Sequence, residues 1–228
     1  MLVTIDNVLT QDELAAMRDL LTRSRWESGS ITAGSQAAQA KNNQQLPEEA
    51  EHLPALRKRV LDALNHEPVF FAAALPLKIL PPFFNRYAGG TNNYGFHTDC
   101  AMRLAPGGSG AYIRSDISAT LFLSDPDDYE GGMLTIEDTF GIHGVKLKAG
   151  SLVVYPSSSI HAVTPVTKGE RVSCFMFIQS MVRDPGQRRL LYDMDMALLK
   201  LRQEVGETEP VVQLTGTYHN LLRRWAEN

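Results

Sequence analysis

The stretch SLVVYPSSSIHAVTPVTKGERVSCFMFIQSMV, residues 151–182, decides the fold class. It contains two short runs rich in β-branched and aromatic residues, SLVVYP and VSCFMFIQSMV, with residues typical of turns between them. Runs of this length and composition are typical of β-strands. The stretch therefore predicts two strands joined by a connecting segment.

Short runs of the same composition continue back along the chain to Leu77. Further short runs, each bounded by turn residues, are LKILPPFFNRY (77–87), DISATLFLS (116–124), GGMLTIED (131–138) and GVKLK (144–148). Several short strands at this spacing favour a sandwich or barrel core.

Helical patterns stand on both sides of this β region, with apolar residues three and four positions apart. They are TQDELAAMRDLLTRSRW (10–26), LPALRKRVLDALNHE (53–67), QRRLLYDMDMALLKLRQE (187–204) and GTYHNLLRRWAE (216–227). In the first, Thr10 and Glu13 form the pattern of a capping box. The predicted order is two helices, a β core and two helices, which is an α+β domain.

We predict an N-terminal helical and loop region at residues 1–76, the β core at 77–182 and a C-terminal helical segment at 183–228. Residues 27–46, ESGSITAGSQAAQAKNNQQL, are poor in large apolar side chains and predict a long loop or lid.

Composition limits the partners and the location. The chain has 228 residues, of which 43% are hydrophobic, and a net charge of −4, so we expect one core and no broad basic surface for nucleic acid or anionic membranes. Two cysteines and the lack of a signal-peptide pattern favour the cytoplasm. The most apolar run, VFFAAALPL (69–77), is too short to cross a membrane.

His97 and Asp99 are the first candidate site residues. In extended backbone, side chains two residues apart point to the same side, so this pair can approach one divalent metal ion. A loop histidine paired with an aspartate fits the same tripeptide. His161 follows a predicted strand. An antiparallel arrangement of the strands can bring His161 back beside His97. Two histidines and one carboxylate then form a facial triad, which suits non-haem Fe(II).

Arg171 begins the apolar strand RVSCFMFIQ. An arginine there suits a carboxylate partner that its guanidinium can bind through two hydrogen bonds. A surface arginine near Glu170 is the alternative, but Ser173, two residues on, shares the same face of the strand. The sequence contains neither a phosphate-binding loop nor a G-x-S-x-G elbow, which disfavours nucleotide-binding and hydrolase readings.

The stretches that carry these residues resemble the Fe(II)/2-oxoglutarate-dependent dioxygenases, in the prolyl-4-hydroxylase-like branch and its bacterial PKHD-type hydroxylases. They are FNRYAGGTNNYGFHTD (84–99), SDISATLFLSDPDDYEGGMLTIED (115–138), GSLVVYPSSSIHAVTPVTKGERVS (150–173) and LTGTYHNLLRRWAE (214–227). The resemblance implies a double-stranded β-helix, or jelly roll, with supporting helices. It implies hydroxylation of a substrate C–H bond coupled to decarboxylation of 2-oxoglutarate to succinate and CO2.

The resemblance also assigns roles to residues. His97, Asp99 and His161 would bind Fe(II), and Arg171 would bind the distal carboxylate of 2-oxoglutarate. Tyr87 looks like the tyrosine that hydrogen-bonds this cosubstrate, and Ser173 would assist as part of an R-x-S pair.

The remaining expectations are O2 as the second cosubstrate, L-ascorbate as a candidate reductant, and a small-molecule or peptidyl substrate. The C-terminal helices are a candidate interface for a homo-oligomer. The family's Asn after H-x-D is replaced here by Cys100. A cupin-like metal protein that does not use 2-oxoglutarate is the alternative function.

Overall fold

The computed structural model of the protein describes residues 1–32, 39–105 and 110–227, except for the side chains of residues 31 and 32. The helices are α1 (Gln11–Arg23), α2 (Leu53–Asn65), α3 (Pro68–Ala74), α4 (Pro185–Val205) and α5 (Glu209–Trp225), with 3-10 turns at Gly29–Thr32 and Pro126–Asp128. No helix in this part of the chain has the length and apolar character needed to cross a bilayer.

The strands are β1 (Val3–Ile5), β2 (Glu27–Ser28), β3 (Lys41–Asn42), β4 (Gln44–Gln45), β5 (Pro76–Ile79), β6 (Phe83–Tyr87), β7 (Asn93–His97), β8 (Met102–Leu104), β9 (Tyr112–Arg114), β10 (Ile117–Phe122), β11 (Tyr129–Gly131), β12 (Leu134–Asp138), β13 (Gly141–Val145), β14 (Leu152–Pro156), β15 (His161–Val163), β16 (Val166–Gly169) and β17 (Arg171–Ser180).

Two antiparallel sheets form the β core. The larger has the order β1-β14-β10-β17-β6-β4-β2, with β5 also paired to β17. The smaller has the order β13-β12-β15-β7-β3, and two further pairs, β11-β16 and β8-β9, stand beside them. This is the jelly-roll core, with helices before and after it, that the sequence resemblance implied.

The two faces of the larger sheet pack against different layers, because successive strand residues point to opposite faces. Leu121 and Leu152 pack into the cluster formed with α1, α2 and α3, while Phe122 and Val153 pack into the cluster that includes the smaller sheet. The smaller sheet therefore closes over the face of the larger sheet that the helices leave open.

The predicted helices are confirmed, and the first has the local cause that the sequence indicated. The backbone N–H of Thr10 donates to Glu13 Oε2 at 2.8 Å, and the backbone N–H of Glu13 donates to Thr10 Oγ1 at 3.3 Å. This capping box satisfies donors that the first helical turn leaves without partners.

The predicted order of elements was incomplete. Strand β1 has only three residues, too few for a visible alternation, and α3 has seven residues in an unbroken apolar run without helical periodicity. His143 lies within β13 opposite Ile136.

The expected long loop at residues 27–46 was wrong for the residues that the structure describes there. They form the two-residue strands β2, β3 and β4 and a 3-10 turn, while residues 33–38 lie outside the described part. Strand β3 pairs with β7, and β4 pairs with β6. Because these partners lie about 40 or more residues away, local sequence could not reveal the pairings.

Candidate active site

His97, Asp99 and His161 converge at one end of the smaller sheet. His97 ends β7, His161 begins β15, and the two residues face each other in the antiparallel register. One potential ligand atom from each residue lies within 4.8 Å of the other two. His161 Nε2 is 3.6 Å from Asp99 Oδ2. The predicted antiparallel return of His161 to His97 is confirmed.

Both histidine rings are oriented by backbone carbonyl groups. His97 Nδ1 lies 2.8 Å from the Gly95 oxygen, and His161 Nδ1 lies 3.0 Å from the Ser159 oxygen. Because a carbonyl oxygen only accepts hydrogen bonds, Nδ1 is the protonated nitrogen of each ring. The Nε2 lone pairs are then left for a metal ion, an arrangement typical of histidine ligands.

Burial keeps His97 neutral. It lowers the pKa of His97 to about 4, and the nearby His161 adds to the decrease. The ring also stacks on Tyr94, with centroids 3.6 Å apart and planes inclined by 14°. A neutral, sterically fixed imidazole is the form that coordinates a cation.

Ser118 holds the carboxylate of Asp99. Ser118 Oγ donates to Asp99 Oδ2 at 2.6 Å and lies 2.7 Å from Ser157 Oγ. The hydroxyl groups of Ser118 and Ser157 therefore hold the carboxylate in one orientation. Ser118 belongs to β10 of the larger sheet. Two imidazoles and one oriented carboxylate are a donor set that fits non-haem Fe(II).

Arg171 is 1% exposed and begins β17. Its Nη1 donates to Ser173 Oγ at 2.7 Å, and its guanidinium carbon lies 5.2 Å and 5.1 Å from the ring centroids of Tyr87 and Phe122. No carboxylate of the described residues forms an ion pair with it, and Glu170 pairs with Arg86 at 3.6 Å. The surface alternative is therefore wrong.

A buried cation without an anionic partner is costly unless a ligand supplies the charge. Arg171 and Ser173 line the same cavity as His97, Asp99 and His161. The empty space of this cavity between the two sheets is about 700 Å³ when the open solvent at its mouth is included. A dianionic cosubstrate that reaches from the metal ligands to Arg171 fits this distribution of charge.

Tyr87 also lines the cavity and is buried. Burial raises the pKa of Tyr87, so its phenol keeps its proton at neutral pH and remains a hydrogen-bond donor. Asn85 Nδ2 donates to the Tyr87 hydroxyl at 3.4 Å, and Ser173 Oγ donates to Asn85 Oδ1. Asn85 thus links the two residues that the resemblance assigned to the cosubstrate.

Three residues that line the cavity were not predicted as site residues: Ser118, Asn85 and Lys41. Lys41 lies in the segment that was predicted to be a long loop or lid. For the first two a signal exists, because polar residues two positions apart in a buried strand share one face. Ser118 and Thr120 show this pattern in β10, and Asn85 and Tyr87 show it in β6.

Among Arg86, Arg103 and Arg114, the described lining of this cavity includes Arg103. Arg86 pairs with Glu170, and Arg114 pairs with Asp116 at 2.7 Å. Cys100 is exposed at the cavity, whereas Cys174 is buried, and both thiols are free.

Comparison with known proteins places this geometry in a family. The model of the 2OG-Fe(II) oxygenase superfamily matches residues 82–179, and that of the PKHD-type hydroxylase C-terminal domain matches residues 185–227. A PKHD-type hydroxylase of Azoarcus sp. (strain BH72) is 71% identical over 228 residues, and one of Nitrosomonas europaea is 69% identical over 228 residues. Each alignment covers 100% of both chains.

Solved structures share the fold at low sequence identity. The carbocyclase SnoK from nogalamycin biosynthesis, described as non-heme and alpha ketoglutarate dependent, has a TM-score of 0.53 and 15% identity over 79% of each chain. HygX from Streptomyces hygroscopicus, solved with nickel, 2-oxoglutarate and hygromycin B, has a TM-score of 0.51 and 16% identity, over 78% of this chain and 82% of that chain. With close relatives matched over its whole length, this chain belongs to the PKHD-type hydroxylases and is an Fe(II)/2-oxoglutarate-dependent dioxygenase.

Proposed function

We propose that His97, Asp99 and His161 bind the catalytic Fe(II). The observation that carries this proposal is that one ring nitrogen from each histidine and one carboxylate oxygen lie within 4.8 Å of one another, with both rings oriented by backbone carbonyls. Three protein ligands leave coordination positions open, as an oxygen-activating site requires.

Arg171 binds the distal carboxylate of 2-oxoglutarate in this proposal. Its burial among Tyr87, Phe122 and Ser173, without a carboxylate partner in the described chain, supports the role. Tyr87 donates a hydrogen bond to the same cosubstrate. Ser173 is a positioning residue, because its hydroxyl already accepts from Arg171 and donates to Asn85.

The reaction is hydroxylation of a C–H bond in a small-molecule or peptidyl substrate. Fe(II) held by His97, Asp99 and His161 would supply the oxygen-activating chemistry that links decarboxylation of 2-oxoglutarate to succinate and CO2 with hydroxylation of the substrate, one oxygen atom of O2 going to each product. The chain's own contribution is to hold the cosubstrate between the triad and Arg171 and to limit the access of water through the two packed sheets.

Anaerobic calorimetry tests this function directly. Protein loaded with Fe(II) should bind 2-oxoglutarate, and on exposure to air it should slowly form succinate even without the prime substrate. Protein that contains stoichiometric iron but binds no 2-oxoglutarate would contradict the proposal.

Four finer features belong to the same proposal. The division at 76/77 and 182/183 is supported by the family matches at 82–179 and 185–227, which fall inside the proposed core and C-terminal segment. A cytoplasmic location is supported by two free cysteines in the chain. L-ascorbate as reductant rests on the resemblance, and turnover numbers with and without ascorbate test it.

The fourth feature is a homo-oligomer through the C-terminal helices. Leu198 is buried and Trp225 packs beside it within the chain, so these two residues cover the core. Exposed apolar side chains on α4 and α5, which include Leu190, Leu199 and Val212, support an interface. Light scattering that finds a monomer at high concentration would exclude it.

A further inference from the structure

We propose that Lys41 and Arg103 form a second anion site in the cavity, which binds a carboxylate or phosphate group of the substrate to be hydroxylated. This inference rests on the proposed function, because it assumes iron at the triad and 2-oxoglutarate at Arg171.

Arg103 is held flat against an aromatic ring. Its guanidinium carbon lies 3.5 Å from the ring centroid of Phe177, and Nη2 lies 3.7 Å from Asp99 Oδ1. Its Nε is buried and makes no hydrogen bond within the described chain. Stacking fixes the plane of the guanidinium and leaves donors at its edge for a planar or tetrahedral anion.

Lys41 stands beside it on β3. Its register partner is Tyr94, and its ammonium lies 5.5 Å from the Tyr94 ring centroid and 5.6 Å from that of Phe175. Burial lowers the pKa of Lys41 to about 8, and the charge of Arg103 contributes to the decrease while Asp99 opposes it. The side chain is therefore mainly a cation at neutral pH, partly desolvated and close to Arg103.

The rings that Arg103 and Lys41 approach, those of Phe177 and Phe175, belong to the same strand as Arg171. Arg171, Ser173, Phe175 and Phe177 alternate along β17, share one face and all line the cavity. Six residues of strand separate Arg171 from Phe177, which is about 20 Å of backbone at about 3.3 Å per residue. A cosubstrate carboxylate at Arg171 is therefore four strand positions from the ring that Lys41 approaches and six from the ring on which Arg103 stacks.

The balance of charge favours an anionic substrate. The described lining of the cavity contains three cations, Lys41, Arg103 and Arg171, and a single carboxylate, that of Asp99. Fe(II) adds two positive charges and 2-oxoglutarate two negative ones, so an excess of two positive charges stays in the loaded cavity. The protein as a whole has a net charge of −4, so this excess is local. An additional anion offsets the cost of these partly desolvated cations.

The neighbouring rings indicate the rest of the ligand. Phe175 and Phe177 lie edge to face with centroids 5.8 Å apart, and Tyr94 stands over His97. An organic anion with an apolar body would place its charge at Lys41 and Arg103 and its C–H bonds toward the triad.

The test uses the anaerobic Fe(II) and 2-oxoglutarate holoenzyme, with three probes of the same body: 3-phenylpropionate, 2-phenylethylphosphonate and the neutral 3-phenylpropanamide. Calorimetric Kd values should show that at least one anion binds tenfold or more tightly than the amide. Lys41→Met and Arg103→Gln should each reduce this preference at least fivefold, and the double variant should abolish it. Arg25→Gln, at a side chain 86% exposed, is the matched control and should keep it.

Comparison of the two anionic probes with the neutral amide distinguishes the possible results. Preference for the carboxylate or for the phosphonate identifies the kind of anion, and either supports the site. If the wild-type holoenzyme binds 2-oxoglutarate but prefers neither anion over the amide, the anion site is overturned and the proposed function stands. If it does not bind 2-oxoglutarate, the proposed function fails, and this inference fails with it.

A charge-conserving variant controls for damage to the fold. Arg103→Lys should retain a larger anion preference than Arg103→Gln, with thermal unfolding confirming that both variants are folded. Equal losses in the two folded variants would remove Arg103 from the site.

Discussion

The ring centroids of His97 and His161 lie 4.2 Å apart because the two residues are register partners in the antiparallel strands β7 and β15. One strand pairing thus brings together two residues that are 64 positions apart in the sequence. A one-residue slip of that pairing would turn one ring to the opposite face. The proposed metal site therefore depends on the register of the smaller sheet as well as on the identity of its proposed ligands.

Replacing a proposed ligand should remove the metal without unfolding the protein. We expect Asp99→Ala to lower Fe(II) affinity at least about 100-fold, since even partners of ligands contribute about 10- to 100-fold. Iron content after anaerobic reconstitution measures the effect. His143→Ala, whose ring pairs with Asp138 at 3.0 Å on the surface, should retain its iron. Full iron in Asp99→Ala would show that the carboxylate is not a ligand.

The hydroxyl of Ser118 should matter to the metal through Asp99. Ser118→Ala removes a 2.6 Å hydrogen bond to the carboxylate, and we expect Fe(II) affinity to fall about 10- to 100-fold. Ser157→Ala is the control, because Ser157 reaches Asp99 only through Ser118. A competitive chelator titration should find the smaller loss in Ser157→Ala, and an equal loss in both would contradict the direct role of Ser118.

Arg171 should determine the affinity for 2-oxoglutarate. A hydrogen bond to a charged group contributes about 1.5–3 kcal/mol, so Arg171→Gln should raise the Kd of 2-oxoglutarate roughly 10- to 150-fold. The iron content should stay unchanged, because Arg171 makes no contact with the triad in the described chain. An unaltered Kd would exclude Arg171 as the cosubstrate anchor.

The same variant should lose stabilisation by ligand. A ligand at 100 times its Kd stabilises a folded protein by about 2.7 kcal/mol. At the concentration of 2-oxoglutarate that gives this effect in the wild type, the Tm of Arg171→Gln should rise by about half as much or less. Thermal scans of the iron-loaded proteins with and without 2-oxoglutarate measure both shifts, and equal shifts would count against the assignment.

The capping box of α1 gives a prediction about stability alone. Thr10→Ala removes the side-chain acceptor for the N–H of Glu13 and should lower the free energy of unfolding by about 1 kcal/mol. Thr22→Ala, near the other end of the helix, should change it by less than about 0.5 kcal/mol. Urea unfolding of the two variants distinguishes these effects, and a larger loss at Thr22 would refute the argument.

Features that depend on neighbouring residues could be predicted from the sequence. The start of α1 follows from Thr10 and Glu13, three positions apart, and the pairing of Arg171 with Ser173 follows from their spacing in one strand. The strands of the core were visible because their apolar and aromatic residues form short runs between turns. Resemblance over several such stretches then indicated the family, which the comparisons confirmed.

Features that depend on strand pairing could not be predicted in the same way. Lys41 lies in a segment without a strand pattern, and only the pairing of β3 with β7 brings it to Tyr94 and the cavity. Asn85 and Ser118 could be assigned to a face but not to a partner.

The sequence alone was enough to predict four of the five helices described, the β core and the types of residue proposed to bind iron and a carboxylate, because these depend on spacing along one segment. The tertiary structure was needed to show which polar faces meet and which cations share the cavity with Asp99. The physical reason is that antiparallel pairing joins residues distant in the chain, and its register is determined by the packing of both sheets together.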